Sequence, residues 1–483
     1  MKSLKKTILL FLLFSAALNG LAYAQKGQMK ITASSSEVLK LYNDAEKMAC
    51  KMKFDAAMDL LQKAVKADPN FAMGYLRMAE LSGNNLDESK AYLDKALSLS
   101  GNVSEGEKEW ILLMKARSEG PLEDYKTRLQ KLDEKFPKDR AVQYTLGSLY
   151  FEDFNNYTLA SEHLKQAIDA DKKFAAPYNL LGTCYARLNK DEEAENVYLD
   201  YIKLNSEDAA PYYYYADYLI KSGRYTDSRK QNEKALQKDP SFYQSLNSIG
   251  SNYAMRGDYA NARANFQKAL EKAPTTIGKL ESMYNEAISY LYEGKINEAV
   301  DLMEKSKAMA EKEKLTGQEF RSLYTGGVIL SEMGRASDGI KHFEQAADII
   351  NKSSLPENMK TQRLVLANLG RCRAMIEMGN LNEARTLVTQ CREVEKNEPQ
   401  KMYFNTTLGA LAIQEGKYDE ALQYLAEGNR ESPLNWYYTG LAYEKKKDTN
   451  SANEWFAKIA RCSNNGVELG IARALSKEAL TKR

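Results

Sequence analysis

Small, large and polar positions recur along this chain in a frame of 34 residues. In the stretch from Tyr243 to Thr276, small residues stand at positions 8, 20 and 27 (Gly250, Ala262, Ala269), and larger ones at 4, 7, 11 and 24, among them Tyr253 and Phe266. Position 15 is Gly257 and position 32 is Pro274. That order predicts two antiparallel helices joined by a glycine turn. Small residues at 8 and 20 let the two axes approach where they cross. The large ones fill the layers between helices, and the proline stops the second helix before the next unit begins.

The frame repeats: Ala175-Ala176-Pro177-Tyr178 and Ala209-Ala210-Pro211-Tyr212 are offset by one full period. Ala45, Ala57, Ala64 and Pro69 mark a first unit from Val38, while Gly327, Gly339, Phe343 and Ala346, then Gly409, Ala421, Gly428 and Pro433, mark later ones. The unit near Arg140 carries one extra residue before Ala160. Late unit starts move apart, from Leu280 to Phe320 to Val365, so the added residues Lys314 to Glu319 and Ser354 to Gln362 are expected to lengthen helices or loops. About twelve helical pairs follow over residues 38–466. Leu469, Ala472, Leu475 and Leu480 then predict a capping helix over 467–483.

These positions resemble the tetratricopeptide repeat. The resemblance implies an all-α fold, a right-handed α-α superhelix whose first helices line a concave face. In such a stack only neighbouring repeats touch, which predicts one elongated, monomeric domain.

At the start, Lys2, Lys5 and Lys6 precede an apolar run from Ile8 to Leu18, and Ala22-Tyr23-Ala24 supplies small residues before Gln25. This is the pattern of a cleaved signal peptide over residues 1–24, followed by a short linker over 25–37. An exported, periplasmic or secreted protein is expected. The whole chain has 68 basic and 66 acidic residues; losing the three lysines leaves it near neutral, which does not favour a nucleic-acid partner. No later stretch is apolar over the roughly 18 residues that a membrane span needs.

Cys50, Cys184 and Cys462 fall in distant repeats. Cys372 and Cys391 share a pair, but a turn at Gly379-Asn380 leaves their Cα atoms roughly 10 Å apart, beyond the ~7 Å reach of a disulfide. His163 and His342, the two histidines, read as helix-surface residues that cannot meet. Phosphate loops, zinc spacings and nucleophile elbows are missing, so neither catalysis nor a cofactor is expected.

By resemblance, positions 5 and 9 face the groove. Position 5 gives Tyr144, Asn179, Tyr213, Asn247 and Tyr284, with Tyr42, Tyr324 and Tyr437 in outer units; position 9 gives Ser148, Thr183, Asp217 and Ser251. Chaperone-binding members hold two carboxylates with lysine and asparagine at positions 5 and 9; this chain places Tyr144/Ser148, Asn179/Thr183 and Tyr213/Asp217 there, so capture of an acidic C-terminus is not expected. Tyrosine area and amide hydrogen bonds instead suit a peptide or protein partner, making a scaffold of the bacterial cell envelope. The alternative is a solute- or glycan-binding protein that stacks sugar rings on the same tyrosines.

Overall fold

The computed structural model describes residues 29–83, 85–394, 401–463 and 465–481; the signal segment and the start of the linker, residues 25–28, lie outside them. Among the described residues the chain forms 25 α-helices and no strand. They are twelve antiparallel pairs, from Ser36–Cys50 with Phe54–Ala67 to Pro433–Lys445 with Thr449–Arg461, followed by a single helix Val467–Thr481. Each helix packs on the next, giving an all-α solenoid.

The repeat grid becomes an interlock inside each pair. A Cβ added to Gly147, Gly182, Gly250, Gly327, Gly409 or Gly440 would come within 2.5–2.8 Å of Leu164, Tyr198, Phe266, Phe343, Leu425 or Phe456 respectively. Position 8 is therefore a hole, and the large residue at position 24 fills it. The turn residue at position 15 is equally constrained: Gly223, Gly257, Gly294, Gly334, Gly379 and Gly416 have φ between 75° and 85°. Asn155 and Asn189 take the left-handed conformation in two other turns, and Met52, with φ 59°, takes it in the first.

The added residues lengthen helices. Four consecutive helices, Thr276–Glu293, Ile296–Lys312, Thr316–Glu332 and Ala336–Lys352, have 17 or 18 residues, and Glu357–Glu377 has 21.

The structure departs from the expected one-dimensional stack, because repeats far apart in sequence touch along three seams. At the first, the turn of the first pair lies on the fifth and sixth pairs. Tyr201 donates to the Cys50 carbonyl at 3.4 Å, Lys51 pairs with Asp208 at 2.9 Å and Lys53 with Asp239 at 3.1 Å. Met52 packs beside Tyr212, Tyr213 and Tyr214.

At the second seam Asp87 accepts hydrogen bonds from Thr316 (2.9 Å) and Ser354 (2.5 Å), and Leu86 is buried among Phe320, Leu323, Ile350 and Leu355. The third joins Tyr225 to Ser463 at 2.8 Å, and there Asn465 donates to Ser251 at 3.0 Å and accepts from Tyr292 at 2.9 Å. Val467 and Ile471 of the final helix share a core with Ala287, Ile288 and Leu291. The superhelix curls until its parts meet, so per-repeat rotation is stabilised by contacts between turns as well as between neighbours.

Asp87→Ala tests this closure. Loss of two hydrogen bonds to a charged acceptor is expected to cost about 1–3 kcal/mol. Hydrogen exchange should quicken in Thr316–Glu332 as well as in Leu86–Leu99, although Asp87 and Thr316 are 229 residues apart. A purely nearest-neighbour stack would confine the change to the second pair and its neighbours, the first and third.

The remaining chemistry is small. The five cysteines are free thiols; Cys372 and Cys391 sit in one small core, where burial pushes them up to about 12 and about 11. His163 corrects the surface reading: it is buried, stacks on Tyr150 with ring centroids 5.3 Å apart, and its Nδ1–H donates to Gln143 Oε1 at 2.8 Å. Burial holds its pKa below the ordinary value. His342 bonds to Glu304 at 2.7 Å.

Candidate binding cavity

Closure leaves an interior cavity of about 1820 Å³ between early and late repeats. One wall carries Arg77, Arg117, Tyr125, Tyr144 and Ser148; the other carries Tyr284, Tyr324, Arg363, Arg373 and Tyr403. Both walls belong mostly to first helices, because the solenoid turns those inward.

The first wall is electrostatically satisfied. Arg77 pairs with Glu46 at 2.6 Å and Glu80 at 2.7 Å. Burial raises the Glu80 carboxyl while Arg77 opposes it. Arg117 makes a fork to Asp153, with Nε and Nη2 each at 2.9 Å, and reaches Glu152 at 2.8 Å. Tyr125 donates to Asp153 at 2.5 Å. Such bidentate pairs hold the wall in one geometry.

The second wall is looser. Arg373, its side chain 10% exposed, meets Glu332 only at 3.6 Å. Glu332 is more deeply buried and accepts from Tyr438 at 2.7 Å; burial raises its carboxyl, with Arg373 opposing. Arg363 donates to the Met359 carbonyl of its own helix at 3.3 Å. It has no ion pair among the described residues, and burial alone lowers its pKa. Arg321 lies over Tyr284, 4.2 Å from the ring centroid.

The nine groove residues read from the sequence do not share one surface. Tyr144, Ser148 and Tyr284 line the cavity. Tyr213 packs edge-on to Phe242 at 5.7 Å, beside Met52, and Asp217 pairs with Lys221 at 2.7 Å. Asn247 is buried and donates to Ser282 at 3.1 Å, and Ser251 is taken by Asn465. Thr183 bonds to Tyr198 at 3.1 Å and to the Asn179 carbonyl at the same distance. Tyr213, Asn247 and Ser251 are thus engaged by other repeats of the chain itself.

Tyr324 belongs to the same position-5 series. Arg363 lies outside it, two residues before its repeat begins, whereas Arg373 stands at position 9 of the unit from Val365, a groove position that was read only in the central units. The hint in the sequence was the insertion Ser354 to Gln362, whose Asn358, Met359, Thr361 and Gln362 also line the cavity. Among the described residues no group of three or more His, Cys, Asp or Glu is placed to hold a metal. None of the described helices is long and apolar enough to cross a membrane.

Two stretches, residues 145–213 and 242–312, match family models described as tetratricopeptide repeat. A curated relative is the human protein O-mannosyl-transferase TMTC2, 33% identical over 100 residues, which are 20% of this chain; the chain spans 12% of that protein's length. Among solved structures, MamA is 25% identical, covering 35% of this chain and 94% of its own, at TM-score 0.29. YrrB, described as a tetratricopeptide repeat protein with an unusual peptide-binding site, is 18% identical, covering 39% and 94%, at 0.25. A tetratricopeptide repeat protein from Parabacteroides merdae is 14% identical, covering 65% and 98%, at 0.33. The 34-residue period, the interlocked helical pairs and the two matched stretches make this chain a tetratricopeptide-repeat protein.

Proposed function

We propose that this protein is a non-catalytic interaction scaffold of the bacterial cell envelope, exported after cleavage before Gln25, which takes a segment of a peptide or protein partner into its interior cavity. The cavity carries the reading. At about 1820 Å³ it is well above the roughly 300–1,000 Å³ usual for small-molecule sites, so it suits a chain better than a single solute. Six tyrosines (Tyr125, Tyr144, Tyr157, Tyr284, Tyr324, Tyr403) give it rigid area with polar tips. The carboxylates of Glu80, Glu152 and Asp153 are engaged by arginines, which suits holding a ligand rather than moving its protons.

A photo-crosslinking amino acid at Tyr403, compared with one at the exposed Leu199 on the second helix of the fifth pair, tests the site. Crosslinks to one partner from position 403 and not from 199 are expected in the native envelope. The reverse pattern moves binding to the outer surface and sinks the cavity reading. N-terminal sequencing of the exported protein should begin at Gln25, and recovery of uncleaved protein in the cytoplasmic fraction would overturn the localisation.

A further inference from the structure

Four arginines on the walls, Arg77, Arg117, Arg363 and Arg373, are at least partly buried, and three of them face carboxylates. Arg363 does not. Arginine stays charged in proteins, so a half-buried guanidinium without a counter-charge costs free energy that a bound anion would recover. Its surroundings also fix where that anion would sit. Asn358, five residues earlier on the helix, bonds to the Ser118 carbonyl across the second seam, so this end of Glu357–Glu377 is tied to the opposite wall. Met359, Thr361 and Gln362 lie beside it on the lining. Arg430 also has no ion pair among the described residues, but it is exposed at the rim and hydrogen-bonds the Ala426 carbonyl at 3.2 Å.

Resting on the peptide reading above, we propose that Arg363 is the anion anchor of the cavity, and that the segment bound there is an extended peptide whose carboxylate takes the Arg363 fork. The volume favours a chain over a free anion, and the planar guanidinium suits bidentate pairing with a carboxylate. The donor stands before the first position of its repeat, not at the groove positions 5 and 9.

The test is selection by the full-length protein from two random decapeptide libraries, one amidated at the C-terminus and one with a free carboxylate. The amidated library is expected to enrich Asp or Glu at one position; enrichment of the chain end in the free library would show the same pairing from the other source. R363Q should keep the preference for apolar and aromatic positions and lose that for the acid, with affinity for the selected peptide down about tenfold or more. R363K should recover part of it; helicity should match the parent in both, and without peptide the thermal transition of R363Q should be no lower than the parent's. R430Q should leave the acid preference in place.

Raising salt should weaken the parent's binding more than that of R363Q. Peptides selected without any acid preference would overturn the anchor while leaving the peptide reading intact, and so would an acid preference that survives in R363Q. Failure of the parent to select anything from either library would overturn the peptide reading, and the anchor with it.

Discussion

Phe343→Ala is expected to destabilise the protein by about 3–5 kcal/mol, the range for removing a buried phenylalanine. Phe343 is fully buried and lies against two glycines on different helices, Gly327 within its own pair and Gly370 in the next. A Cβ at Gly327 would stand 2.8 Å from the ring, and one at Gly370 closer still, so the ring fills a hole that neither helix can close alone. Tyr324 packs on the other side, with centroids 5.7 Å apart, so the change reaches the cavity wall. Urea unfolding should show the loss. Gly370→Ala should destabilise the parent by crowding and yet compensate partly in the Phe343→Ala background, a coupling between contacting residues that independent sites would not show. Strict additivity of the two changes would contradict the interlock.

Arg373→Leu is expected to cost a similar amount, about 3–5 kcal/mol at neutral pH, because it strands a buried carboxylate. Glu332, its side chain 3% exposed, would retain only the Tyr438 hydroxyl. The pH dependence gives the sign. Burial already raises the folded-state pKa of Glu332, so the folded protein binds that proton more tightly than the unfolded chain. Stability from this group therefore improves as pH falls from the folded value towards the unfolded one, about 4.3, and is lost again as pH rises. Removing Arg373 raises the folded value further. The deficit of the variant should thus be largest at neutral pH and narrow on acidification. Pairing Arg373→Leu with Glu332→Gln should restore much of the stability at pH 7. A deficit independent of pH would mean that lost packing, not the stranded charge, is responsible.

What could be read from the sequence was what one repeat dictates by itself. Gly250 and Phe266 sit at fixed offsets because two helices of one pair must cross, and that requirement is local. Gly257 and Gly379 mark turns for the same reason. The bonds from Thr316 and Ser354 to Asp87 depend instead on a small rotation accumulated over seven or more repeats, which no single repeat encodes. The candidate site divides the same way. Tyr144, Ser148 and Tyr284 reached the cavity because the inward face of a first helix is a local property. Tyr213 and Asn247 obey the same rule but are covered by Met52 or engaged by Ser282. His163 looked exposed because only its own helix was considered; Gln143 and Tyr150, on the preceding helix, bury it.

Met52 holds a left-handed backbone conformation, at φ 59°, where most equivalent turns have glycine, and its side chain is wedged beside three tyrosines of the sixth pair. The first turn works as a keystone, since it meets those tyrosines only if the arc between them has the right length. An open solenoid can gain or lose a copy of its unit and merely change length. In this closed-up solenoid one extra 34-residue copy between the first and sixth pairs would carry Asp208 and Asp239 away from Lys51 and Lys53. Copy number in that arc is therefore a quantised property, and the other two seams set the same limit on the arcs that they close.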